Sequence, residues 1–123
     1  MASSQHTEPY EVLSEGARDV HRAIMSVMEE LEAVDYYHLR ADVTQDEELK
    51  SILVHNRNEE IEHAAMVLEW LRRRIPEFDQ DLRTYLFTTK PITEVEKGVG
   101  DGETQGGAAD SDHSLGLRTL KGE

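Results

Sequence analysis

The chain has 123 residues, a formal net charge of −13, no cysteine and a hydrophobic fraction of 37%, which gives one small domain with a thin core of the kind that leans on a metal or a partner chain for further burial. Lacking thiols, it can hold no disulfide, zinc finger or iron–sulfur cluster, and its acidity argues against nucleic acid, whose phosphates call for clustered Lys and Arg, while suiting cations as partners. Neither a membrane span nor a secretory leader is expected, because no apolar run is long enough and the start is polar, with His6, Glu8 and Glu11.

Residues 1–8 read as a frayed polar start. From about Pro9 to Val43 the pattern is helical. Pro9 suits a first turn, and Glu8 and Glu11 lie near the positive end of the dipole. Val20, Ile24, Val27, Leu31 and Val34 step by four and three to make one apolar stripe, widened by Ala23 and Met28. Thr44 begins a second helix, with Thr44 and Glu47 at capping-box spacing. That helix runs to about Ile75, where Pro76 ends it, and Arg72, Arg73 and Arg74 complement the dipole in its last turn. So short a connection predicts an antiparallel hairpin.

The second helix carries two stripes. One is Ile61, Ala64, Leu68, Leu71 and Ile75; the other is Leu49, Leu53, Asn56, Glu60, His63, Val67 and Trp70. Two faces require two neighbours, and the first helix supplies one of them. A shorter helix from about Glu77 to Phe87 and a last turn at Ile92 to Lys97 cannot close a four-helix bundle. The expected fold is therefore all-α: two long helices forming half a bundle, completed by homodimerisation, with short C-terminal helices behind them. Residues 1–97 make the helical domain. Residues 98–113 (GVGDGETQGGAADSDH) read as a disordered Gly- and acid-rich linker. Residues 114–123, with Leu115, Leu117 and Leu120 among Arg118 and Lys121, read as a tethered docking peptide.

The second stripe of that helix is polar where a leucine would be expected. A buried unpaired Glu costs several kcal/mol, roughly, so Glu60 needs compensation. Glu60 and His63, three apart on one face, are a ligand pair for a metal. Glu30 can point into the same interhelical space, and Tyr37 shares its face. Carboxylates with imidazole suit iron, manganese or zinc, whereas oxygen-only sites favour magnesium or calcium. Acid–x–x–His spacing alone is weak, since Asp35/His38 and Asp110/His113 share it; position within an apolar stripe distinguishes Glu60/His63. Asp35/His38, Glu59 and Glu62 are expected to be solvated. Glu29 and Glu32 form a second acidic cluster, either a waiting site for cations or a solvated face. A di-iron carboxylate bundle needs a Glu from each of two helices and a Glu-x-x-His from each of the other two. One chain supplies half of that set, so dimerisation would complete the ligands and the bundle together. The competing reading of Glu60/His63 is a buried hydrogen-bond network holding two chains in register.

The runs Met28-Glu29-Glu30-Leu31-Glu32-Ala33-Val34-Asp35-Tyr36-Tyr37, His55-Asn56-Arg57-Asn58-Glu59-Glu60-Ile61-Glu62-His63-Ala64, Leu68-Glu69-Trp70-Leu71-Arg72-Arg73 and Arg83-Thr84-Tyr85-Leu86-Phe87-Thr88 resemble encapsulated ferritins, the ferritin-like cargo proteins of encapsulin nanocompartments, as does the ending Leu115-Gly116-Leu117-Arg118-Thr119-Leu120-Lys121. The resemblance implies a ferroxidase that oxidises Fe(II) with dioxygen at a di-iron site shared by two subunits. It implies Glu30, Glu60 and His63 as iron ligands, Tyr37 nearby, and Glu29 and Glu32 as metal-binding acids on the approach. Where the family commonly has Trp, this chain has Tyr36. It further implies a ring-shaped decamer of five dimers, held inside an encapsulin shell in a bacterial or archaeal cytoplasm by Leu115, Gly116, Leu117, Arg118 and Leu120, with the shell storing the iron. The alternatives are a non-enzymatic helical adaptor and another di-metal enzyme, of manganese or peroxidase type.

Overall fold

The computed structural model describes residues 7–101, which form a short 3-10 turn and four α-helices: α1 (Glu15–Val43), α2 (Glu47–Arg74), α3 (Pro76–Tyr85) and α4 (Ile92–Asp101). The beginning of the polar start, most of the expected linker and the whole docking peptide lie outside the described residues. The chain divides into two compact units, Met1–Leu71 and Arg72–Glu123.

Within the first unit, α1 starts later than the Pro9 signal predicts. Pro9 instead opens the 3-10 turn Tyr10–Val12, and Ser14 is the cap of α1, its hydroxyl accepting from the Ala17 N–H at 3.0 Å. Arg18 straps the turn down, donating to the Tyr10 carbonyl at 2.8 Å with its guanidinium 3.9 Å from the ring centroid. At the hairpin the expected capping box does not form. Thr44 ends α1, donating its N–H to the Arg40 carbonyl. Asp46 caps α2, its carboxylate accepting from the Leu49 N–H at 2.8 Å. A carboxylate one residue before the helix reaches that orphan donor better than a hydroxyl already committed to the turn.

The antiparallel pairing of α1 and α2 follows from their cross-helix partners. Glu30 interacts with Glu60 and His63, whereas His38, two turns further along α1, meets Arg57, earlier on α2. On the stripe of Ile61, Ala64, Leu68, Leu71 and Ile75, Ala64 and Leu71 are buried and Ile61 is exposed, while Glu60 and His63 are half-buried. Among the described residues Ala41, Ala64 and Leu71 are the buried apolar core, and Ile24, Met28, Leu31, Leu39, Ile52, Ile61 and Met66 remain exposed.

In the second unit, Pro76 occupies the first turn of α3 and forces Ile75 into extended backbone, φ −116° and ψ 105°. Asp79 gathers Arg72 and Arg83, the latter donating Nε–H at 2.8 Å. The helix ends at Tyr85, two residues before the expected limit, because Leu86 and Phe87 turn the chain. α3 packs against α4, which continues to Asp101 rather than stopping as a single turn at Lys97.

Candidate metal centre

Heptad-like spacing delivers Glu60 and His63 to one face of α2, and the hairpin brings Glu30 of α1 opposite them. The His63 Nδ1 lies 3.7 Å from the Glu60 Oε1. Two ligand bonds of about 2.1 Å to one ion can span up to about 4.2 Å between donor atoms, so this pair can share a cation without moving backbone. The other ring nitrogen, Nε2, faces Glu59 at 3.8 Å.

Glu30 combines a buried oxygen with a shifted carboxyl. Its Oε1 is buried and has no hydrogen-bond partner. Its carboxyl is pushed above the ordinary glutamate range, first by burial and then by the negative charge of Glu60, with Glu29 adding to the shift and His63 opposing it. An acid that cannot comfortably ionise beside a second acid and an imidazole is a place where a cation would be bound. The donor set of carboxylates and imidazole fits iron, manganese or zinc.

The remaining sequence-predicted residues are less tightly gathered. Tyr37 sits two turns along α1 from Glu30, with Arg40 at 5.7 Å from its ring centroid. Glu29 and Glu32 are exposed on α1. Glu32 accepts a hydrogen bond from the Tyr36 hydroxyl at 2.8 Å, which raises the Tyr36 pKa. Asp35 and His38 do not pair: His38 Nδ1 instead meets Arg57 Nη1 at 3.2 Å. Glu59 is exposed, as expected, and lies 3.8 Å from both His55 and His63. The signal for it was available as a His–Glu–His run at four-residue steps, which places all three on one strip of helix surface. Glu77, not singled out as a site residue, is buried with both carboxylate oxygens unpartnered.

Among the described residues, no three His, Asp or Glu side chains of one chain converge closely enough to hold a metal ion by themselves. Glu30, Glu60 and His63 lie near one another across the hairpin, with Glu60 and His63 on one face of α2. No helix among the described residues is long and apolar enough to cross a membrane.

Residues 5–89 match the EncFtn-like family. The chain is 53% identical over 131 residues to the encapsulated ferritin-like protein of Rhodospirillum rubrum, covering 100% of this chain and 94% of that one. It is 52% identical over 118 residues to the ferritin-like protein of Thermotoga maritima, covering 96% and 99% respectively. A shorter match, 40% identical over 53 residues, covers 43% of this chain and 41% of the encapsulin nanocompartment cargo protein EncC of Myxococcus xanthus. The crystal structure of protein ne0167 from Nitrosomonas europaea superposes with a TM-score of 0.69 at 60% identity, covering 71% of this chain and 96% of that one.

Proposed function

The chain belongs to the EncFtn-like family, and from that premise we propose that it is a ferroxidase, the cargo of an encapsulin shell, whose di-iron site forms when two chains meet. The observation that carries the reading is the buried, unpartnered Glu30 oxygen on an acid held near Glu60 and His63 across the hairpin. A second chain related by a two-fold axis doubles Glu30, Glu60 and His63 into the four carboxylates and two imidazoles of a dinuclear carboxylate centre. Four carboxylates balance the four positive charges of two ferrous ions, which removes the cost of burying Glu30 beside Glu60.

Fe(II) is the substrate. Glu30 and His63 of each chain hold the outer positions and Glu60 of each chain bridges. Two ferrous ions give one electron each to dioxygen; with two protons from water, the balanced product of that step is hydrogen peroxide beside two Fe(III). The residues contribute geometry, negative charge and access. Tyr37 lies on the Glu30 face of α1, close enough in register to line the site. Glu29 and Glu32, an oxygen-only pair suited to hard cations such as calcium as well as to incoming iron, serve as acids on the approach. Tyr36 holds Glu32 through its hydroxyl.

Assembly follows the same logic. The dimer completes the bundle, and five dimers close a ring, leaving storage of Fe(III) to the surrounding shell. Residues 102–113, beyond the end of α4, act as a tether and Leu115, Gly116, Leu117, Arg118 and Leu120 as the part that binds the shell wall, which would place the protein inside a nanocompartment in the cytoplasm of a bacterium or archaeon.

The test is oxygen-dependent Fe(II) oxidation by purified protein and by Glu30→Ala, Glu60→Ala and His63→Ala variants, with assembly size measured on the same samples. Oxidation well above the iron-only background, lost in the variants while assembly persists, is the expected result. Background-level oxidation with collapse of the assembly in the variants would mean that Glu60 and His63 form a structural network and that the chain is a scaffold. Activity with manganese or peroxide in place of Fe(II) and dioxygen would indicate a different di-metal enzyme.

A further inference from the structure

The turn after α3 breaks two rules at one residue. Leu86, with φ −69° and ψ 144°, and Phe87, with φ 62°, take the two central positions of a type II-like turn, and the Thr88 hydroxyl donates to the Tyr85 carbonyl at 2.8 Å. The second central position favours Gly or Asn, and left-handed backbone is costly for a bulky residue. Phe87 is the one non-glycine residue with positive φ among those described, and it is 100% exposed. Strained backbone and a wholly hydrated aromatic ring are both unfavourable, and the Thr88 hydrogen bond closes the turn without covering the ring. Leu86 and Ile92, beside it, are exposed as well.

We propose that Phe87 is an assembly anchor, inserted into an apolar flank of α1 on a second copy of this chain. The receiving surface is a flank separate from the iron half-site. At about 100° per residue, Ile24, Met28, Leu31 and Leu39 fall within an arc of about 80°, centred about 140° around the helix from Glu30. All four are exposed, by 39%, 48%, 53% and 55%. The contact therefore covers a face that the Glu30-side pairing does not use, and it joins different copies. Charge favours the same occupant. The segment Arg83-Thr84-Tyr85-Leu86-Phe87-Thr88-Thr89-Lys90-Pro91 has two cations and no acid, although Arg83 is already bonded to Asp79. The receiving arc carries Asp35 and Asp42 and no Lys or Arg. The leucines of residues 114–123 are a poorer fit to the Phe87 segment, because Arg118 and Lys121 would bring like charge to it.

The inference rests on the proposed self-association. Its test is the size of the full-length protein across a dilution series, by light scattering after gel filtration, for wild type, Phe87→Gly and Phe87→Asn, with thermal unfolding of each. Glycine and asparagine relieve the backbone while removing the ring. The expected result is helical, folded variants that need about tenfold more protein for half-assembly. Leu31→Asp on the receiving flank should weaken assembly in the same way. Variants that assemble like wild type would overturn the anchor while leaving self-association standing. A wild type that stays monomeric with and without Fe(II) would overturn both. Normal assembly with lost co-purification of the shell would assign Phe87 to the shell and overturn the second-copy reading.

Discussion

Glu30 concentrates the consequences of the proposed half-site. Its carboxyl is raised, so between the ordinary glutamate pKa of about 4.3 and the raised folded value the native chain binds more protons than the unfolded one. In the metal-free protein this makes stability fall as pH rises through that window. Thermal midpoints measured across it should decline for wild type and flatten for Glu30→Gln; an equal decline in both would mean that Glu30 is not the group responsible. Tyr36 makes a smaller prediction. Tyr36→Phe deletes the hydroxyl on Glu32, so a divalent cation no longer competes with it, and calorimetric binding of calcium should tighten a few-fold. Binding unchanged in Tyr36→Phe but lost in Glu32→Gln would make Tyr36 a bystander. The half-buried placement of Glu60 and His63 on one face was legible because helical periodicity exposes polar residues in an apolar stripe. The Arg57 contact to His38 was not, since a long side chain reaching across a hairpin leaves no periodic trace.

At the scale of elements, both long helices, their antiparallel turn and the two short helices were readable from stripe spacing and prolines. Their ends were not, because several residues at each end could act as the cap. Ser14 won over the Pro9 start, and Asp46 won over the Thr44 capping box. Ser14→Ala and Asp46→Ala should each cost about 1 kcal/mol of stability in urea melts at fixed protein concentration, with Thr44→Ala costing less. A larger loss from Thr44→Ala than from Asp46→Ala would contradict the assignment of the cap. The extension of α4 to Asp101 was hidden by Gly98, which lowers helix propensity without forbidding the helix.

For the whole molecule, the sequence pointed to a partner through half a ligand set and half a bundle, and the exposed apolar side chains of the structure are compatible with one. Apolar side chains such as Met28, Leu31, Ile52 and Ile61 stay in water, while the buried apolar core among the described residues is small. Deleting residues 114–123 should leave Fe(II) oxidation intact and abolish co-purification with a co-expressed encapsulin shell; encapsulation of the truncated chain would remove the targeting role from that peptide. The central claim is a metal centre shared between chains. Its most direct test is X-ray diffraction from Fe(II)-loaded crystals, with anomalous maps recorded at the iron edge. Two iron peaks per dimer on the pairing interface, each bordered by Glu30, Glu60 and His63 side chains and bridged from both chains, are the predicted result. Iron bound within a single chain, or only beside His55 and Glu59, would contradict it.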